Sequence, residues 1–341
     1  MERIYSLDLL KFIAITLVVF YHSFYGENIT YTNLLFPVYS IGVPIFFMIN
    51  GALLFNKDLD IKKHYRKIAN IISLTLIWTV LIILIIRLFT DEISTFKDMV
   101  KIAWFGDSRY VVNQYWFLKA LVILYLCFPI LKQAFNTNKL CIVIFFITIT
   151  VLVIGYNFMY LSHQMFNIFF NKSIVVEGKE YIPWYNFCKD FQYSFSFVYF
   201  ILGGIIFFFH KNIKILNALL LFFISFGTAI YIAFIFNKNM IHWDPCFNGY
   251  PSLMTFVMST TTFLFLYNQK IRNLPSVIEK IGKDTLGIYL VHGIIIYFTK
   301  PIISPYGINY YPLYAITILF TSWVIVRICK HIPFISKLFS I

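Results

Sequence analysis

Runs of apolar residues about a bilayer in length alternate along this chain with short polar segments. The stretches 12–21, 68–86, 140–155 and 216–236 contain no Asp, Glu, Lys or Arg. A helix rises about 1.5 Å per residue, so about twenty such residues cross the hydrocarbon of a membrane. The pattern predicts helices near 8–25, 36–55, 68–89, 115–134, 140–158, 193–210, 215–236, 250–267, 285–299 and 310–329. The expected architecture is an all-α integral membrane protein, a bundle of about ten transmembrane helices, with both termini on one side. The first run carries Asp8, Lys11 and His22 and lacks a small-residue cleavage site. It is expected to be retained as the first span and not removed as a signal peptide.

The charges assign the sides. Cytoplasmic loops of membrane proteins are enriched in Lys and Arg. Arg3, the cluster from Lys57 to Lys67, Lys132 and Lys139, Lys211 and Lys214, the cluster from Lys270 to Lys283, and Arg327, Lys330 and Lys337 all fall on the side of the N-terminus. The alternate loops, 90–114, 159–192 and 237–249, balance their few bases with Asp91, Glu92, Asp98, Asp107, Glu177, Glu180, Asp190 and Asp244. Both termini are therefore expected in the cytoplasm. The outer segment around Tyr181, Pro183, Trp184, Tyr185 and Asn186 reads either as an aromatic interfacial belt or as the lining of a sugar site.

Composition narrows the class further. The 341 residues are 60% hydrophobic, 21% aromatic and only 13% charged, where a soluble domain would be about a quarter charged. The formal charge of +13 is spread over short loops, not gathered on one face, so nucleic acid is not an expected partner. Residues 1–341 are expected to form a single transmembrane domain with no soluble domain. Cys127, Cys141, Cys188, Cys246 and Cys329 form no CxxC pair, so neither a disulfide framework nor a metal site is indicated.

Ionisable side chains inside a span are costly unless they face a polar interior, and the first helix has three. At about 100° per residue, the eleven steps from Lys11 to His22 return to within about 20° of the same direction and rise roughly 16 Å. Asp8, Lys11 and His22 thus share one stripe. Taken singly, Lys11 reads as a snorkelling cation, Asp8 as its local partner and His22 as a packed histidine. Together they suit group transfer: an imidazole can take a proton from a hydroxyl while a cation at the inner end meets phosphates.

The segment Ser6-Leu7-Asp8-Leu9-Leu10 followed by Lys11 and, eleven residues on, His22 resembles the Arg-x10-His signature that opens the membrane acyltransferase-3 family. Three further stretches match that family's pattern in order: Val43 to Gly51, then Tyr115-Trp116-Phe117-Leu118, then Thr285 to His292. Two positions depart from it. Lys11 replaces the arginine, which loses planar, bidentate phosphate recognition, and Asn50 stands where the family usually has Ser.

The resemblance implies transfer of an acyl group, most often acetyl, from cytoplasmic acyl-CoA to a hydroxyl of a lipid-linked or cell-surface glycan, with no metal. It implies the stand-alone type that O-acetylates surface polysaccharides, in the bacterial cytoplasmic membrane. His22 is then the expected base, Lys11 the donor-side cation and Asp8 their orienting partner. Lys63, Arg66 and Lys67 are candidates for the phosphates of CoA, although topology alone explains a basic cytoplasmic loop there. Asn50, Trp116, Tyr289 and His292 are candidates for the acceptor or the cavity wall. Direct attack by the acceptor and a brief acyl-imidazole both remain open. Two other classes also remain open: a polysaccharide exporter or flippase, which needs a polar cavity but no motif-placed histidine, and a protein that binds acyl-CoA without turnover.

Overall fold

The computed structural model describes residues 4–24, 30–90, 97, 114–170, 194–209, 215–238, 249–269, 271–303 and 311–339. Every regular element among them is helical. Arg3, Lys211, Lys214, Lys270, the outer-loop acids, the segment Tyr181 to Asn186, Cys188 and Cys246 lie outside the described residues. The chain divides into two compact units, one comprising Met1–Tyr21, Gly26–Asp58 and Ile130–Glu279, the other His22–Tyr25, Leu59–Pro129 and Lys280–Ile341.

Unit one begins with α1 (Tyr5–Phe24), as far as Tyr21, and continues with α2 (Thr30–Tyr39) and α3 (Gly42–Phe55). Pro37 lies inside α2, and the chain bends at Ser40, whose hydroxyl donates back to the Phe36 carbonyl at 2.8 Å. One apolar run from Leu35 to Phe55 therefore spans two helical pieces. After the end of α5 (Trp116–Thr137) come α6 (Lys139–Thr150), a π-helical turn (Val151–Gly155), α7 (Tyr156–Phe170), α8 (Phe195–Phe209), α9 (Ile215–Lys238) and α10 (Leu253–Tyr267). Asn138 caps α6 by accepting from the Leu140 N–H.

The tightest packing in this unit joins α3 to α8. A Cβ on Gly51 would lie 1.8 Å from the Phe200 carbonyl oxygen, and one on Gly203 would lie 2.0 Å from that of Met48. The two backbones touch directly, the form of contact small residues permit between membrane helices. Lys132, counted above among the bases of the cytoplasmic side, lies within α5, as it does within the predicted helix 115–134, and is buried. Its ammonium donates to the Phe55 carbonyl at 2.6 Å, a cation closing the C-terminal end of α3.

Unit two is built on α4 (Ile61–Phe89), the first part of α5, α12 (Thr285–Ile303), α13 (Tyr311–Lys330), α14 (Pro333–Ser336) and a 3-10 turn (Lys337–Phe339); α11 (Ser276–Lys283) leads into it. The basic stretch 62–67, expected to be loop, is the first two turns of α4. Asp60 caps it, accepting from the Lys63 N–H at 3.0 Å, and that bond holds its carboxyl below the usual range. Trp78 donates its indole N–H to the Leu338 carbonyl at 2.8 Å, tying the C-terminal turn to the middle of α4. Asp284, 3% exposed, lies just before α12 and binds three groups of α13: Lys330 at 2.6 Å, Arg327 at 2.7 Å and the Trp323 indole at 3.2 Å.

Among the described residues, seven helical runs are long and apolar enough to cross a membrane: Tyr5–Phe24, Leu35–Phe55, Ile61–Phe89, Trp116–Thr137, Leu216–Ile235, Thr285–Ile303 and Tyr311–Lys330. The other three predicted segments are also helical but shorter, at Lys139–Gly155, Phe195–Phe208 and Leu253–Tyr267. The chain is a multi-pass membrane protein whose regular elements, among the described residues, are all helical. The segment from residue 159, expected to be outer loop, is helical as far as Phe170, the end of α7.

Candidate functional site

In unit two, the last turn of α1 brings His22 against His292 of α12, with ring centroids 5.4 Å apart and planes inclined by 47°. His292 is wholly buried. Its Nδ1 lies 3.1 Å from the Ile288 carbonyl oxygen, one helical turn back. A carbonyl can only accept, so Nδ1 carries the proton and Nε2 presents its lone pair. That Nε2 is buried and has no hydrogen-bond partner among the described residues. The pair thus places a proton-accepting nitrogen beside a second imidazole.

The surrounding wall is fixed by a reciprocal clasp. Tyr115 donates its hydroxyl to the Leu290 carbonyl at 3.2 Å, while Tyr289 donates its own to the Gln114 carbonyl. Each tyrosine thereby holds the residue next to the other, and the start of α5 is locked onto α12. The Tyr289 ring lies 5.9 Å from His292 and 5.6 Å from Phe117. Phe24, two residues after His22, packs on Tyr311 at 5.3 Å. Lys300, eleven residues beyond Tyr289 and so on nearly the same face of α12, interacts electrostatically with His22. The sequence reading passed over it; the signal was that Lys300 is the sole Lys or Arg between 285 and 303.

At the other end of α1, in unit one, buried Asp8 and half-buried Lys11 form the local pair that their spacing predicts, at 3.2 Å. The helix is continuous from Tyr5 to Phe24, so Lys11 and His22 remain on one stripe roughly 16 Å apart. Asn50, on α3, donates its amide to the Phe46 carbonyl of its own helix at 2.8 Å. Trp116 opens α5, half-buried and edge-on to Phe117.

The three donor-side candidates on α4 differ. Lys63 is exposed and paired with Asp60 at 3.2 Å, and Arg66 is exposed. Lys67 is half-buried, with its ammonium 5.2 Å from the centre of the Tyr125 ring. Between them, His64 points inward and meets the Tyr125 carbonyl at 2.8 Å, which the reading of 62–67 as a plain basic loop did not foresee. Among the described residues no three His, Cys, Asp or Glu side chains gather to hold a metal ion.

A protein-family model described as an acyltransferase domain matches residues 4–327, nearly the whole chain. Comparison with curated proteins and with solved structures returns no match.

Proposed function

Because the chain belongs to the acyltransferase-3 family and is on that ground a membrane acyltransferase acting on groups other than aminoacyl, we propose that it moves an acyl group, most often acetyl, from cytoplasmic acyl-CoA to a hydroxyl of a lipid-linked or cell-surface glycan. The bilayer is the bacterial cytoplasmic membrane, crossed about ten times by a single domain with both termini inside. The three shorter apolar helices, found where spans were predicted, support that count.

The observation that carries the reading is the facing pair of His22 and His292, with a lone-pair nitrogen buried beside the motif histidine. In this reading the acceptor hydroxyl gives its proton to His22 as its oxygen attacks the thioester carbonyl. The C–S bond then breaks, and the leaving CoA sulfur takes the proton back from the imidazolium. His292 and Tyr289 form the wall against which the acceptor is held. Lys11, steadied by Asp8, serves the donor end, and Lys63, Arg66 and Lys67 supply cations for the CoA phosphates. Lys67 suits this best, because the Tyr125 ring below it limits its freedom. Trp116 contributes to the wall in unit two, and Asn50, in unit one, is kept as an acceptor-side candidate.

The test is the O-acetyl content, by NMR, of surface glycan from cells carrying the wild-type gene, a deletion or His22→Ala. Acetate lost in both mutants at normal glycan yield supports the transferase. Unchanged acetate with reduced surface glycan supports the exporter in its place.

A further inference from the structure

In unit two, the polar groups at the clasp that joins the start of α5 to the His292 helix are mostly committed. The hydroxyls of Tyr115 and Tyr289 are spent on backbone carbonyls, and Nδ1 of His292 faces the Ile288 carbonyl. Of the buried side-chain nitrogens with no hydrogen-bond partner among the described residues, two lie on the segments this clasp joins: Nε2 of His292 and the amide Nε2 of Gln114. Gln114 is 8% exposed. Its carbonyl is held by Tyr289, one helical turn before His292, so its backbone is fixed to the helix that carries His292.

The two orphaned nitrogens have opposite character. His292 Nε2 accepts, whereas a carboxamide nitrogen only donates, with two N–H groups. Buried polar groups are nearly always satisfied, and a native exception calls for an unseen partner. The reacting pair supplies both partners: an acyl oxygen that gains negative charge, and an acceptor glycan held against His292, whose neighbouring hydroxyl donates to Nε2 while the attacking one gives its proton to His22. A fixed, buried, neutral donor suits the former, because it is worth more out of water and needs no reorganisation as charge develops.

We propose that the Gln114 side-chain amide donates a hydrogen bond to the acyl carbonyl oxygen of the donor, strengthening as that oxygen becomes the tetrahedral oxyanion. This rests on the acyl-transfer reading above and adds a residue to it. No bond to Gln114 forms or breaks; when the tetrahedral intermediate collapses, the C–S bond opens, the carbonyl returns and the hydrogen bond relaxes. Lys300 is the rival donor, since its charge is felt at His22.

The experiment uses the full chain in lipid nanodiscs with acetyl-CoA carrying 13C at the carbonyl. The infrared stretch of the bound thioester is recorded for wild type, Gln114→Met and Lys300→Met, alongside kcat, KM and thermal stability. The proposal expects the wild-type band at lower frequency than in free acetyl-CoA. Gln114→Met should abolish that shift and lower kcat about 10²- to 10³-fold, with KM and thermal stability nearly unchanged. Lys300→Met should keep the shift. A shift retained in Gln114→Met, or removed only by Lys300→Met, overturns the proposal, as does a wild-type band that does not move. Should Gln114→Met fail to fold, Gln114→Leu, which also lacks a donor, decides on the same terms. A wild-type protein that binds acetyl-CoA but acetylates no glycan would defeat the acyl-transfer reading, while the band comparison would still decide the hydrogen bond.

Discussion

His22 and His292 come together from positions 270 residues apart in the chain, and their rings meet at 5.4 Å. Side chains that act as a unit give strongly non-additive losses when removed together. We expect His22→Ala to lower transfer about 10²- to 10⁴-fold, the range for a general base. His292→Ala should cost less, and the double variant little more than His22→Ala alone. Single-turnover acetyl transfer in nanodiscs measures all three; strictly multiplicative losses would show that the rings work apart.

Lys11 stands where the family signature has arginine, and it is tied to Asp8 at 3.2 Å. A guanidinium presents a planar fork that grips a phosphate in two places, whereas an ammonium is a point charge. Lys11→Arg is expected to lower KM for acetyl-CoA several-fold with kcat little changed, and Lys11→Ala to raise it about tenfold. Initial rates at varied acetyl-CoA decide it, and an unchanged KM in both variants would remove Lys11 from the donor end.

Asp284 joins α12 to α13 through Lys330, Arg327 and Trp323. Asp284→Asn keeps the shape but leaves two cations without their anion. The carboxylate is buried, while both cations are partly exposed, so water screens part of the loss. The expected cost is about 2–4 kcal/mol, read as a lower thermal midpoint in detergent. A midpoint equal to wild type would show that the cluster contributes nothing to stability.

Gly51→Ala and Gly203→Ala each drive a methyl into a facing carbonyl oxygen. Overpacking of a close contact costs about 1–3 kcal/mol, and a backbone neighbour cannot step aside as a side chain can. Both variants should fall in folded yield by fluorescence-detected size exclusion, whereas Gly227→Ala, where a methyl meets open space, should not.

Hydropathy revealed the helices because each is built mainly on one apolar run. It missed the first two turns of α4, since Lys62 to Lys67 are good helix formers but polar, and only the cap at Asp60 marks the start. It put Lys132 in a helix but not in the interior, because a cation that closes another helix's C-terminus looks in sequence like any cytoplasmic lysine. The helix-one stripe was legible from spacing alone. The partners of His22 were not: His292 could be singled out by type, but its free nitrogen, the tyrosine clasp and the orphaned amide of Gln114 exist only once α5 and α12 are packed together.

The contact between Gly51 and Phe200 also sets a timetable. The two residues are about 150 positions apart, and a ribosome adding roughly 5–20 residues per second takes some 8–30 s to cover that distance. Throughout that interval α3 must wait in the bilayer with its small-residue face uncovered. The seam closes only when α8 has been inserted, so unit one is finished late in synthesis, and chains that stall before α8 should be the ones quality-control proteases remove.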